Sequence, residues 1–207
     1  MGEMILPDFA THYYRASRAP FLNLSDLPED QVMTVMAELT RERRAGLQHR
    51  PFGRTYIEMR RVAEDRLRRH FTAMGGRPER HAPHYLVLGE SPWFRGLAPD
   101  MEEIRMPLRD LPDAQATVTW GDSFAAMETG PAFGLAHTPR PYYGRLYRLA
   151  NIPGLAERYG IPRPEPGGYE GLPAGEGPET FIEIQLWSDD PVLSYLSRPT
   201  GGGPGHG

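Results

Sequence analysis

The chain of 207 residues carries a formal net charge of -4 and a hydrophobic fraction of 39%. This length fits one globular domain, or one domain with a tail. The sequence contains neither cysteine nor lysine, which excludes disulfides, cysteine nucleophiles and lysine Schiff bases. It offers no apolar run long enough to span a membrane and no signal-peptide pattern at its amino terminus, so a cytoplasmic location is the default expectation.

The amino-terminal part predicts one short strand followed by two helices. Strand-forming residues occur at positions 12–15. A helix with one apolar face then begins near Ser25 and ends before Gly46, and a second helix runs from about Gly53 to Met74. The core-facing stripe of the second helix is predicted to contain Met59, Val62, Ala63, Leu67, His70, Phe71 and Met74.

Positive charge is concentrated in this helical region. Residues 41–80 contain twelve arginines and five acidic residues, although the whole chain is acidic. A basic field of this kind suits a phosphate-bearing partner such as nucleic acid, but helical arginines also often only solvate a surface. The candidate nucleic-acid contacts are Arg60, Arg61, Arg68 and Arg69.

The second half predicts several strands with irregular connections and a short helix within residues 146–159. The predicted strands lie at residues 84–88, 103–108, 116–120 and 178–187. A Pro/Gly-rich stretch at 161–177 is either a lid or a disordered insert. Helices grouped early and strands grouped late favour an α+β fold. We expect a single domain over residues 1–197 and a Gly-rich disordered tail over 198–207.

The last predicted strand contains the most informative residue of the chain. Its apolar and β-branched side chains suit a pleated surface, yet the acid Glu183 lies among them, with Gln185 on the same face. A carboxylate in an apolar strand is costly to desolvate, which makes Glu183 a candidate for chemistry. The alternative is that this face is the solvated side of an edge strand.

Most familiar catalytic motifs are missing. The sequence has no phosphate-binding loop, no Gly-x-Gly-x-x-Gly after a strand, no His-Glu-x-x-His and no Gly-x-Ser-x-Gly. His81 and His84 have a spacing that could bind a metal only with a distant third ligand, so no metal is predicted. Aromatic residues near the glycines are core residues or, if several face one cleft, a platform for a flat ring.

Three segments resemble the DNA-targeting ADP-ribosyltransferase toxins and their relatives in the ADP-ribosyltransferase superfamily. Residues 83–93, which include Ser91-Pro92, resemble the Tyr-rich strand and Ser-Pro turn of those proteins. Residues 119–126 resemble a later strand and loop, and residues 181–184 resemble the last strand, which holds the catalytic glutamate. Glu90 stands where those toxins carry an arginine.

The resemblance implies two amino-terminal helices packed on a mostly antiparallel split sheet, with NAD as co-substrate in the split. Glu183 would then be the catalytic residue, and the nicotinamide ring would stack on Tyr13 or Tyr14. A nucleic acid acceptor would meet the arginine-rich helix. The NAD-binding residues implied in this way are His12, Tyr13, Tyr14, Arg15, Tyr85 and Ser91.

Three other interpretations of the sequence stay open. The chain could be a nucleic-acid-binding module without catalysis, or a protein-interaction or structural domain with Trp93-Phe94 and the Pro/Gly-rich loop as its contact surface. It could also be a different enzyme that acts through Glu183, Asp122 and His84. Fold analogy alone does not choose between these interpretations.

Overall fold

The computed structural model describes residues 5–48, 55–162, 169–170 and 179–198. The seven strands of this part are β1 (Phe9–Arg15), β2 (His84–Leu88), β3 (Met101–Pro107), β4 (Ala116–Thr119), β5 (Ile161–Pro162), β6 (Tyr169–Glu170) and β7 (Glu183–Leu186). The α-helices are α1 (Glu29–Arg44), α2 (Tyr56–Ala73), α3 (Pro92–Arg95), α4 (Ser123–Ala126), α5 (Ile152–Tyr159) and α6 (Asp190–Leu196). Short 3-10 helices occupy Leu24–Asp26, Leu108–Asp110, Gly130–Phe133 and Leu149–Asn151.

Five strands form one sheet in the order β3-β1-β2-β7-β4, and every neighbouring pair is antiparallel. Strands β5 and β6 form a separate antiparallel pair. The two long helices precede all strands of the sheet except β1. This arrangement confirms the predicted α+β fold with two amino-terminal helices on an antiparallel sheet.

The sheet is split between strands β1 and β2. Strand β1 pairs with β3 along its whole length, from Phe9 to Arg15. Its pairing with β2 covers only Ala10 and Thr11, opposite Leu88 and Val87. Beyond Thr11 the two strands no longer pair, and the gap between them is the place where a ligand or a side chain can enter the sheet.

The two faces of the sheet differ in polarity. Because side chains alternate along a strand, Glu183 and Gln185 share one face, while Ile184 and Leu186 lie on the other. The Ile184 face belongs to the main apolar core. The Glu183 face carries polar side chains that are nevertheless buried, and helix α2 packs against it through a cluster that includes Trp187.

The last strand differs from its prediction in two ways. It begins at Glu183 rather than near residue 178, so the acid stands at the strand's first residue and not in its middle. It also lies between β2 and β4 in the interior of the sheet. The interpretation of this segment as the wet face of an edge strand is therefore wrong.

Two further predictions concern helix α2 and the Pro/Gly-rich segments at 161–177 and 198–207. In α2 the buried residues include Ala63, Leu67 and Phe71 as predicted. His70 and Met74 are exposed instead, with Met74 just past the end of the helix, and Glu64 is buried. The buried acid is bonded to an arginine one turn away, as described below. Most of the predicted 161–177 lid and nearly all of the predicted tail lie outside the described residues.

Candidate active site

A cavity of about 160 Å³ opens where β1 and β2 separate. It reaches both faces of the sheet, because its wall contains Tyr13 and Glu183 from one face and His84 and Leu86 from the other. Its remaining lining residues are Thr11, His12, Phe21, Leu22, Asn23, Arg60, Ala63, Tyr85, Val87, Phe94, Ser123 and Phe124. Residues from three neighbouring strands, helix α2 and the start of α4 thus converge on one space.

Glu183 is the buried acid of this cavity, with 7% of its surface exposed. Its carboxylate accepts a hydrogen bond from the amide of Gln185 at 3.1 Å and another from the hydroxyl of Ser123. Burial, together with the negative charge of Asp122, raises the pKa of Glu183 to about 7, and the two hydrogen bonds and the charge of Arg60 act in the opposite direction. The residue is therefore divided between its acidic and ionised forms near neutral pH.

Arg60 is an interior cation rather than a surface residue. Its side chain is 13% exposed and pairs with the buried Glu64 at 3.0 Å, one turn along α2. It also donates to Asn23 Oδ1 at 2.8 Å, and its guanidinium lies 4.7 Å from the centre of the Tyr85 ring. The hydroxyl of Tyr85 donates to Glu64 at 3.2 Å. These contacts fix the ring of Tyr85 under the guanidinium.

His12 bridges the gap in the sheet through both ring nitrogens. Its Nε2 accepts from the backbone N–H of Phe21 at 2.9 Å, so the proton of the neutral ring lies on Nδ1, which donates to the carbonyl of Tyr85 at 2.9 Å. Burial lowers the pKa of His12 to about 4, which keeps the ring neutral. The ring also stacks on Phe21 at 4.0 Å, a residue with the unfavourable φ of 59°. His12 therefore shapes the cavity wall.

A second cavity of about 210 Å³ adjoins the first, and His12, Tyr13, Leu22 and Phe94 line both. Its other walls are mainly apolar side chains of α1, of the segment that precedes α1 and of the segment after α3. The two cavities are therefore adjoining spaces that share one wall.

Four aromatic rings form a shelf beside the two cavities; they belong to Tyr13, Trp93, Phe94 and Phe181. Tyr13 stacks on Phe94 with a centroid distance of 5.6 Å and an interplanar angle of 5°. Phe181 contacts Phe94 at 4.9 Å and Trp93 at 5.6 Å, and Trp93 is 40% exposed. The hydroxyl of Tyr13 accepts from the backbone N–H of Ser91 at 2.9 Å, which attaches the shelf to β1.

The structure brings together four of the residues that the sequence predicted for one site, namely His12, Tyr13, Tyr85 and Glu183. Tyr14 and Arg15 line the second cavity instead. Arg15 pairs there with Asp100 and, at 3.1 Å, with Glu42.

Ser91 lines neither cavity. It is buried and caps α3, where its hydroxyl accepts from the N–H of Phe94. The residue thus holds the aromatic shelf in place, and a direct contact with NAD stays a prediction.

The predicted nucleic-acid contacts are scattered. Arg60 is interior, and Arg68 donates to the carbonyl of Arg80. Arg61 and Arg69 are exposed, but each pairs with an acid, Glu29 and Asp65 respectively. Elsewhere in the basic region, three arginines at the end of α1 are exposed and have no ion pair within the described part of the chain; they are Arg41, Arg43 and Arg44.

The alternative trio of Glu183, Asp122 and His84 is less well arranged. Asp122 is close enough to Glu183 to raise its pKa. His84 lies opposite Leu186 in the register, and so on the other face of the sheet from Glu183. Its Nε2 is bonded to Asp189 at 2.7 Å. His84 therefore lines the same cavity as Glu183, but it does so from the opposite face of the sheet and is engaged there by Asp189.

Several residues of the site were not assigned to it from the sequence, although Ser123 falls within the 119–126 segment of the resemblance. Ser123 and Phe21 lie in loops or at element ends, where no periodicity marks them. The interior pair Arg60 and Glu64 did leave a signal, because acid and base stand four residues apart on one helix, but this spacing is also typical of solvated surfaces. Thr117 and Thr119 alternate on β4 in step with Glu183 and Gln185 on β7, a pattern that indicates a shared polar face.

Within the described ranges, no group of three or more His, Cys, Asp or Glu side chains is placed to hold a metal ion. No helix of those ranges is long and apolar enough to cross a membrane. The chain matches no protein-family model, and searches of curated proteins and of solved structures return no significant match. Function must therefore be argued from the geometry of the site.

Proposed function

We propose that this chain is an ADP-ribosyltransferase-like enzyme that cleaves NAD and transfers ADP-ribose to a macromolecular acceptor. The observation that supports the proposal most strongly is the buried carboxyl of Glu183 in the wall of the cavity that opens at the split of the sheet. It lies in one cavity with His12, Tyr13 and Tyr85 of the two neighbouring strands. A buried acid with a raised pKa in a cleft is typical of a catalytic group.

The reaction would break the bond between C1′ of the ribose and the ring nitrogen of nicotinamide. Nicotinamide leaves with the electron pair of that bond and becomes neutral, and the ribose becomes an oxocarbenium-like cation. Ionised Glu183 would stabilise this cation through the neighbouring ribose hydroxyl. The acceptor then supplies an electron pair to C1′ and loses a proton.

The charges of the cavity suit a positively charged leaving group. Among the described residues that line the cavity, Glu183 is the acid and Arg60 is the cation. Behind this wall, Asp122 is close enough to act on the charge of Glu183, and Glu64 pairs with Arg60. The nicotinamide ring of NAD is a cation until the glycosidic bond breaks. Its positive charge would favour the ionised form of Glu183 and so lower the pKa of that residue in the complex.

The two adjoining cavities suit the two ends of a dinucleotide. The nicotinamide end would occupy the cavity of Glu183, with its ring against Tyr13. The adenosine end would occupy the larger, mainly apolar cavity beside α1. His12, Tyr13, Leu22 and Phe94 would separate the two ends, since they line both spaces.

We place the protein in the cytoplasm as part of this proposal. The charge distribution favours a nucleic acid as the acceptor. The exposed Arg41, Arg43 and Arg44 stand at the end of α1, the helix that walls the second cavity. Phosphates of a bound strand would contact these arginines. A nucleic-acid-binding module without catalysis would use the same patch, but its binding would not depend on Glu183.

NAD binding can be tested by thermal unfolding at neutral pH with and without millimolar NAD. The proposal predicts a higher midpoint with NAD, because a ligand that binds only the folded state stabilises it. Tyr13→Ala should lose most of this rise, because the variant lacks the ring proposed to stack on nicotinamide. Glu179→Gln, a change of a nearby glutamate outside both cavities, should keep it. A wild-type midpoint that NAD does not change would overturn the proposal.

A further inference from the structure

A directional chain of buried hydrogen bonds ends on Glu183. The indole N–H of Trp187 donates to the hydroxyl of Thr117 at 2.9 Å, and that hydroxyl donates to Oε1 of Gln185 at 3.0 Å. The amide nitrogen of Gln185 donates to Oε1 of Glu183 at 3.1 Å and to the hydroxyl of Thr119 at 2.9 Å. Thr119 in turn donates to the carbonyl of Gly121 at 3.0 Å.

The direction of this chain follows from the donors and acceptors that meet in it. An indole N–H can only donate, so the hydroxyl of Thr117 accepts from Trp187, and its own proton points to Oε1 of Gln185. The NH₂ group of Gln185 then faces the carboxylate of Glu183 and the hydroxyl of Thr119. A reversed amide would place an oxygen against the carboxylate and an NH₂ group against the Thr117 proton.

Burial strengthens these hydrogen bonds and keeps water away from them. Thr117, Thr119, Gln185 and Trp187 are each 0% exposed, so water does not compete for their polar atoms. A buried network in which every member is satisfied is rigid, and an unpaired group within it is costly. Gln185 thus presents one N–H to the carboxylate in a fixed geometry.

We infer that Gln185 is a positioning residue for Glu183, oriented by Trp187 and Thr117. Its N–H holds the carboxylate at the cavity and stabilises the ionised form of an acid that burial would otherwise keep protonated. The inference rests on the proposed function only for its effect on turnover. Its effect on the ionisation of Glu183 holds whatever the substrate is.

The test is the titration of Glu183 in Gln185→Met, which keeps the length of the side chain and removes the amide. Carbon NMR of protein labelled at the glutamate carboxyls gives the midpoint, and Glu183→Gln identifies the signal. We expect the midpoint to rise from about 7 by roughly one pH unit, because a hydrogen bond to an ionised group is lost. Thr117→Val should raise it in the same direction by less.

Thr40→Val is the control, because it removes a half-buried hydroxyl that donates to the carbonyl of Met36 within α1, outside the chain of hydrogen bonds and outside both cavities. This variant should leave the midpoint of Glu183 unchanged. A midpoint that moves in neither Gln185→Met nor Thr117→Val would overturn the inference and leave Gln185 a purely structural residue.

The two proposals can fail separately. A midpoint that moves in a protein unable to cleave NAD would support the positioning role and contradict the transferase. An unmoved midpoint in a protein that cleaves NAD would contradict the positioning role and support the transferase. If both hold, the pH profile of kcat/KM in Gln185→Met should shift upward in parallel with the NMR midpoint.

Discussion

The burial of Glu183 lowers the free energy of unfolding at neutral and alkaline pH. The unfolded chain ionises this carboxyl near its ordinary pKa of 4.5, but the folded protein does so only at about 7. Between these two pH values the folded protein holds a proton that the unfolded chain has lost. Stability therefore falls as the pH rises through this interval, and the full cost, about 3 kcal/mol, is present above pH 7.

Removing the charge should consequently stabilise the protein while it abolishes function. Glu183→Gln is expected to unfold at a higher temperature than the wild type at pH 8, and the difference should shrink toward pH 5. Denaturant titrations at both pH values measure the effect. An equal or lower stability of the variant at pH 8 would show that the carboxylate contributes to the fold instead.

Replacing His12 is expected to lower the stability of the protein, in contrast to replacing Glu183. His12→Phe would leave the N–H of Phe21 and the carbonyl of Tyr85 without their partner, at a cost of about 2 kcal/mol or more. Urea unfolding of this variant should show the loss, whereas Tyr14→Phe next to it should change little. Normal stability combined with lost NAD binding would contradict this structural role and favour the direct NAD contact that the resemblance implied for His12.

At the scale of elements, the corner between β4 and α4, residues 120–122, places the hydroxyl of Ser123 against the carboxyl of Glu183. Gly121 turns the chain there with a φ of 101°, and a Cβ at this position would overlap the carboxylate of Glu179. Glu179 is itself held by the hydroxyls of Tyr142 and Tyr143, at 2.8 and 2.9 Å. The corner is therefore determined by both backbone conformation and packing.

Gly121→Ala should cost about 2 kcal/mol or more and lower NAD turnover, because the residues that follow must move. Gly134→Ala is the matched control, since Gly134 also has a positive φ but would place its Cβ in open space. It should cost only about 1 kcal/mol and keep turnover. Equal effects of the two changes on stability and turnover would mean that the corner does not position the site.

The sequence predicted local elements better than it predicted the site. Strand β2 and the buried part of α2 follow from periodicity, and the conflict between Glu183 and its apolar neighbours marked that residue as special. The meeting of His12 with Glu183 depends on strand pairing between distant parts of the chain, which no local pattern encodes. Arg60 was misplaced because a charged residue on a helix normally faces water, whereas here Glu64, Asn23 and Tyr85 satisfy it inside.

At the scale of the whole molecule, the basic region divides into paired and unpaired arginines. Arg61 and Arg69 are offset by neighbouring acids. The three exposed arginines at the end of α1 are not, within the part of the chain that the structure describes. A polyanionic acceptor is therefore expected at the end of α1 rather than along α2.

Charge neutralisation tests this location. Replacing Arg41, Arg43 and Arg44 by Gln should weaken the binding of single-stranded DNA and reduce the slope of log affinity against log salt by roughly 2. The double change of Arg61 and Arg69 to Gln should have a smaller effect, because their charges are already offset. Fluorescence anisotropy over a salt series gives both slopes. A slope that the triple change does not alter would exclude this surface as the acceptor site.

The release of nicotinamide from NAD at pH 8, with single-stranded DNA present, tests the central claim most directly. The wild type should release nicotinamide, Glu183→Gln should do so at least about 100-fold more slowly, and Glu179→Gln should stay close to the wild type. Both variants must first be shown to fold by the thermal unfolding described above. A wild type that releases no nicotinamide, or a Glu183→Gln variant as fast as the wild type, would contradict the assignment of Glu183 as the catalytic residue of an ADP-ribosyltransferase.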